Sequence, residues 1–213
     1  MAEIEKEEAI YQAAKDLFHE SGYKKTTMEK IAKRAGISNG LISYYYKKQD
    51  FIERLFREFM EKINDVITRD VGKLLENLFQ RYILLGKIES MILYNTSPES
   101  IKLFKELADN NLVPVTLHLA FRKLLRTVLE EFNCGISEEY FNFYCEIELA
   151  AKVRINSDIH SGKVFLGETT VYDFLSGLVL KLAGIPDDII NKNIRKANKL
   201  YKKVDFSGID LFS

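Results

Sequence analysis

The stretch from Thr26 to Phe51, TTMEKIAKRAGISNGLISYYYKKQDF, leaves the backbone few choices. Thr26 with Glu29 three residues later has the form of a capping box, in which each side chain satisfies an orphan N–H of the other residue. A helix is therefore expected to begin here. Met28, Ile31, Ala32 and Ala35 recur at i, i+3, i+4 and i+7, and Gly36 is the residue type that ends helices in the left-handed conformation. Ser38 has the side chain of an N-cap for a second helix. Ile37 before it and Ile42 four residues after it are spaced as a hydrophobic staple. Two short helices joined by a tight glycine turn are the layout of a helix-turn-helix reader of DNA.

The second helix can be read by face at 100° per residue, with Ile42 taken as inward. Tyr46 falls beside Ile42. Gly40, Ser43, Tyr44 and Lys47 fall on the opposite side, with Asn39 at the shoulder. This outer face is small, polar, aromatic and basic, as a surface pressed into a major groove must be. Tyrosine hydroxyls and lysines bind phosphate oxygens, while Asn39 and Ser43 carry donors and acceptors that match base edges. Gly40 lets the backbone come close.

Thr26-Thr27-Met28, Ile31-Ala32, Ala35-Gly36-Ile37-Ser38, Gly40 and the run Tyr44-Tyr45-Tyr46-Lys47-Lys48-Gln49-Asp50-Phe51 resemble the signature of the TetR family of bacterial transcriptional regulators, over roughly residues 8 to 55. The resemblance implies an all-α homodimer. Residues 1–50 would form a three-helix DNA-binding head, and residues 51–213 a helical-bundle body that binds a small effector and dimerises. It also implies that Thr27, Asn39, Gly40, Ser43, Tyr44, Tyr45 and Lys48 contact DNA, with Ile42 and Tyr46 in the core. Ser38 and Lys47, at the two ends of the expected inserted helix, complete the candidate DNA-binding set. The chain departs from the family pattern at three places: the family usually has an aromatic at Ser43, a His at Tyr45 and a Lys at Gln49. The missing Lys removes one expected phosphate contact, whose charge Lys47 and Lys48 are placed to replace. Base preference therefore cannot be copied from relatives.

The formal net charge of the 213 residues is zero, which argues against a protein that coats nucleic acid along its whole surface. The distribution is uneven. Between Lys24 and Lys48 seven basic residues stand against the single acid Glu29, a net +6 that the rest of the chain balances with −6. A basic head on an acidic body holds DNA at one end. Two cysteines, Cys134 and Cys145, make no disulfide framework and no metal site, and both read as reduced thiols in or near the core. The acidic N-terminal stretch lacks an apolar signal segment, and no run approaches the roughly 18 apolar residues of a membrane span. The expectation is a cytoplasmic protein without membrane association, metal or cofactor.

Apolar periodicity and helix breakers predict a first helix from about Ile4 to Ser21, with Gly22 at its end, and a fourth starting at Gln49 or Asp50 with the stripe Phe51, Ile52, Leu55, Phe56, Phe59 and Ile63. Further helices are predicted over 72–94, after Pro98, over 115–132, 137–155, 169–183 and 187–203, with a loop over 156–168. The 137–155 helix is apolar or aromatic on both faces, so it must be covered on both. It is expected to pair with the 169–183 helix at a dimer interface carrying Tyr140, Phe143, Ile147, Phe174 and Leu178.

Effector sites are mostly apolar with a few placed polar groups. The candidates are Met91, Tyr94, Phe104, His118, Phe121, Phe141, Tyr144, Glu148 and Tyr172, although an i,i+4 pair with Lys152 is the simpler role for Glu148. Such walls favour an apolar or aromatic effector. No nucleophile elbow, phosphate-cradling glycine loop or metal cluster appears, so an enzyme is not expected. The resulting expectation is a dimeric repressor that binds a palindromic operator and is released by its effector. Two alternatives stay open: a ligand-independent nucleoid or cell-cycle DNA-binding protein, and a helical protein-interaction adaptor with a degenerate head.

Overall fold

The computed structural model describes residues 2–95, 97–113, 115–160, 162–163 and 168–213. For 2–4, 94–95, 115–116, 118, 156–157, 160 and 168–170 it describes the backbone alone. Among the described residues the chain is all-helical, with α1 (Ala2–Lys25), α2 (Met28–Ala35), α3 (Asn39–Tyr45), α4 (Lys48–Val71), α5 (Leu78–Asn95), α6 (Pro98–Ala108), α7 (Val115–Glu131), α8 (Glu138–His160), α9 (Glu168–Leu182) and α10 (Asp187–Tyr201). No helix among them is long and apolar enough to cross a membrane.

α1 breaks at Gly22, which adopts φ 80°. A side chain there would meet the Glu106 carboxylate at 2.9 Å. The chain then resumes one helical turn to Lys25, and the break leaves carbonyls that later residues must satisfy.

The expected capping box between Thr26 and Glu29 does not form; a plain N-cap one residue later takes its place. Thr27, not Thr26, is the N-cap of α2, its hydroxyl accepting from the Lys30 N–H at 3.2 Å. Thr26 is fully buried, and its hydroxyl donates instead to the carbonyls of Gly22 (2.8 Å) and Leu17 (3.1 Å). Tertiary demand at the broken end of α1 took the side chain that sequence spacing assigned to a cap.

Gly36 ends α2 as expected, at φ 69°, ψ 30°, and the Ile37 N–H reaches back to the Ala32 carbonyl at 3.0 Å. Ser38 caps α3 by accepting from the Leu41 N–H at 3.3 Å. α3 stops at Tyr45, because Tyr46 is extended (φ −134°, ψ 143°), two residues short of the Lys47 expected from periodicity. α4 starts correspondingly early, at Lys48, where the Asp50 carboxylate accepts from the Lys47 N–H at 2.7 Å.

α5 is the central helix of the body and packs against α4, α6, α7, α8, α9 and α10. From Phe79 to Leu93 only Arg81 and Met91 escape full burial. It begins at Leu78 rather than Gly72. A single 3₁₀ turn, Gly72–Leu74, intervenes, and the Asn77 side chain accepts from the Gln80 N–H at 3.0 Å, as an N-cap does. α6 has Ser97 as N-cap and Pro98 in its first turn, where a missing N–H costs nothing. α8 continues to His160, so residues 156–160 of the expected loop are helical; residues 161 and 164–167 lie outside the described residues.

Residues 202–213 carry no periodicity, yet they strap α1, α4 and α6 together. Val204, Ile209 and Leu211 are buried. Phe212 packs edge-on against His19 (5.0 Å between centroids), Asp70 accepts from the Asp205 N–H at 2.8 Å, and Ser100 donates to Asp210 at 3.0 Å.

Candidate DNA-binding face and body cavity

α3 turns Ile42 fully inward and leaves Tyr44 81% and Tyr45 65% exposed. The two rings meet edge to face at 4.9 Å, so each limits the other's rotamers. Thr27, Ser38, Asn39, Gly40, Ser43 and Lys47 are all exposed on the same head. The Thr27 and Ser38 hydroxyl oxygens accept within their own helices' first turns and keep their O–H donors for an outside acceptor such as a phosphate.

Lys48 is placed differently from the rest. Its ammonium donates to the carbonyls of Tyr23 and Thr26, both at 3.0 Å, and sits 3.7 Å over the Tyr23 ring. Burial pushes its pKa down. It therefore closes the broken end of α1. Gln49, the other departure from the family pattern, donates weakly to the Leu112 carbonyl between α6 and α7 at 3.4 Å. Head and body meet at this contact.

A cavity of about 40 Å³ opens between α5, α6, α7 and α8. Phe104, Phe121 and Glu148, proposed from sequence, line it, together with Leu117, Glu89, Cys145 and Lys152. Lys152 lies 2.8 Å from Glu148 in the i,i+4 pair anticipated from sequence, and 3.8 Å over the Phe121 ring. The buried Tyr82 hydroxyl donates to the same carboxylate. Burial and the neighbouring Glu148 charge hold that phenol well above its ordinary pKa. Burial also raises the Cys145 thiol to about 11 and the Glu89 carboxyl to about 7.

The remaining sequence candidates stand elsewhere. Phe141 is buried beneath the Arg126 guanidinium, 3.9 Å from its ring centre, and Tyr144 donates to the Leu182 carbonyl at 3.1 Å. Tyr172 is buried on α9, and Met91 is half-buried on α5, neither on the cavity wall. The side chains of Tyr94 and His118 lie outside the described residues. Sequence reasoning passed over Glu89. A signal existed: Lys87 and Glu89 interrupt an otherwise apolar run, ILLGKIESMIL, and a charge inside a fully buried helix demands a reason.

On the outside of the body, Tyr140, Phe143 and Phe174 are 60%, 58% and 62% exposed, with Ile147 and Leu178 half-buried among them. Isolated apolar side chains on a surface are ordinary; several large ones on two adjacent helices are not.

The fold and the α3 face define a helix-turn-helix with an exposed second helix. Over residues 10–55 the chain matches the family described as bacterial regulatory proteins, tetR family. It is 36% identical over 63 residues to the fatty acid metabolism regulator protein of Bacillus subtilis (strain 168), a match that covers 29% of this chain and spans about a third (32%) of that relative's length. Its fold is that of RolR, whose crystal structure is a complex with the ligand resorcinol: the TM-score is 0.62 at 13% identity, covering 93% of this chain and 97% of RolR. A TetR transcriptional regulator from Rhodococcus sp. RHA1 aligns over 94% of this chain and 97% of its own at TM-score 0.48 and 15% identity.

Proposed function

We propose that this regulator is a repressor that binds a palindromic operator as a dimer and is released by a small apolar or aromatic effector held in the body, residues 51–213, while residues 1–50 read the DNA. The observation that carries this reading is α6, which borders the cavity and also holds the head. Phe104 on α6 lines the cavity and packs on Phe56 of α4, with 6.0 Å between ring centroids. Two residues along, Glu106 accepts from the Lys24 N–H at 2.9 Å, and Lys102 donates to the Ser21 carbonyl at 3.2 Å. A molecule that displaces Phe104 moves the helix against which α1 and α4 rest. Its differential affinity for the two head positions is what would weaken operator binding.

In this reading Tyr44, Tyr45, Thr27, Ser38 and Lys47 hold phosphates, and Asn39 and Ser43 face base edges where Gly40 lets the backbone approach. Lys48 acts indirectly, by fixing the α1 end from which Lys24 and Lys25 project. The exposed aromatics of α8 and α9 form the partner-facing surface, which places two α3 helices about one helical turn apart on the duplex. RolR holds a small ligand on this same fold, which supports a ligand in the body.

Selection of a random duplex library on the purified protein, followed by sequencing, tests the reading. Enrichment of an inverted repeat is the expected result. Retention of unrelated sequences, abolished by moderate salt, would reduce the head to its charge and defeat the operator assignment.

A further inference from the structure

Four polar side chains stand buried in the central helix α5: Gln80, Lys87, Glu89 and Ser90. Three are accounted for by the protein itself. Gln80 donates to the Asn193 side chain at 3.1 Å, Lys87 donates to Asp173 at 3.2 Å and to Asn198, and Ser90 donates to Glu89 at 3.3 Å. Glu89 is the exception. It is 5% exposed, it lines the cavity, and among the described residues that long bond from Ser90 to Oε2 is its one hydrogen bond. Its Oε1 accepts no hydrogen bond from the described residues, and on the cavity wall it is placed to accept one from a bound molecule.

The charges around Glu89 decide what kind of donor. From α8, Lys152 and Glu148 form an ion pair at 2.8 Å that cancels in charge, with the ammonium lying on the Phe121 face. Cys145, also from α8, stays a neutral thiol. From α7, Arg122 at the rim is turned toward Asn142 and Glu146. Among the described residues both cations on the cavity wall are already paired, and an entering carboxylate would meet Glu89 and Glu148 in a poorly solvated space. The remaining walls, Phe104, Leu117, Phe121, Leu149 and Val153, are apolar. At about 40 Å³ the cavity has room for a polar end group, while a ring would need its apolar walls to move apart.

We propose that this cavity takes the hydrogen-bond-donating end, a hydroxyl or a protonated amine, of a small apolar or aromatic molecule, with Glu89 as the acceptor. The assignment rests on the reading of the cavity as the effector site and gives that site its ligand chemistry. An amine would bind the ionised carboxylate, so its affinity would rise as the pH climbs through about 7, the value to which burial lifts Glu89. A phenolic hydroxyl donates to either form, and its affinity would change little over the same range.

The test compares phenol, benzylamine and benzoate, one ring with three different end groups, by thermal shift and calorimetry at millimolar concentration on the full chain. Phenol or benzylamine is expected to raise the melting temperature while benzoate does not. Glu89→Met, which fills the same volume without an acceptor, is expected to weaken the active probe by about tenfold or more. Glu89→Gln, which keeps an acceptor oxygen but no charge, is expected to spare phenol and weaken benzylamine. Stabilisation by benzoate, undiminished binding in Glu89→Met, or no binding by any of the three overturns the assignment. Release of the selected operator is followed separately. A probe that binds through Glu89 and leaves the operator complex intact upholds the ligand chemistry and counts against the regulatory reading.

Discussion

The caps that shape the turn of the head and the buried polar side chains at the centre of the body find their partners at different ranges along the chain. In the head, Thr27 caps Lys30, Ser38 caps Leu41 and Asp50 holds Lys47, each across three residues. In the body, Tyr82 meets Glu148 across 66 residues, Lys87 meets Asn198 across 111 and Gln80 meets Asn193 across 113. A surface made by local bonds is set by a short sequence and carries its function on its exposed face. A cavity made by distant bonds depends on every helix that encloses it. That contrast separates a helix-turn-helix that a motif can reveal from a cavity that needs the whole bundle.

The largest expected effect breaks the body at its outer surface and leaves both interiors untouched. Leu178→Arg puts a charge among Phe174 and the exposed aromatics of α8. If that face joins two copies, dimerisation should weaken by about 3–5 kcal/mol, and light scattering should report monomers with an unchanged helical circular dichroism signal. A variant that stays dimeric moves the interface to another face.

Acid–base titration probes the buried body alone. In the folded chain the Glu89 carboxyl is raised to about 7, whereas in the unfolded chain it titrates near 4.5. The native state therefore binds the extra proton between these values, and Glu89's contribution to stability falls as the pH rises through that window and levels off above about 7. Melting temperatures measured from pH 5 to pH 8 should decline in the wild type, and the decline should shrink in Glu89→Gln. Equal slopes would remove Glu89 from the account.

Thr26→Val is the corresponding cut in the head. It leaves the carbonyls of Leu17 and Gly22 without their hydroxyl donor, at a cost of about 1–3 kcal/mol. Hydrogen exchange should speed up in α1 and α2 while α5 keeps its protection, if the head opens independently of the body. Uniform acceleration would show that the strap of residues 202–213 and the α1–α6 contacts make one cooperative unit.

The smallest effects distinguish roles within the α3 face. Changing Asn39 or Ser43 to Ala should shift base preference by about 1–3 kcal/mol, read by repeating the library selection. Tyr44→Ala should weaken specific and random DNA alike and lower the salt dependence by about one phosphate contact. A preference unchanged by the first pair, or altered by the last, would exchange the roles.

The gly-turn of the head was legible because Gly36, Ser38 and Ile42 act within one helical turn of their partners, where spacing along the chain is spacing in space. The errors came where a distant element competed. The broken end of α1 claims Thr26 as a donor and leaves the cap to Thr27. In the body, periodicity located α7, α9 and α10 to within a few residues, because a helix against a core repeats its apolar positions whatever its partner. It could not separate the walls of the cavity from the rest of the core. Phe104 and Phe121 face the cavity while Phe141 lies under Arg126, yet the three are alike in their local sequence.

By itself the sequence determined the all-helical class, the capped turn and the exposed aromatic and polar face of α3, since helix periodicity, glycine conformation and serine capping are properties of neighbouring residues. The tertiary structure alone decided which side chains enclose the cavity, that α6 connects it to the head, and that Glu89 is left with an open oxygen. Burial and hydrogen-bond satisfaction at those places depend on groups tens of residues away, and only the folded chain brings them within reach.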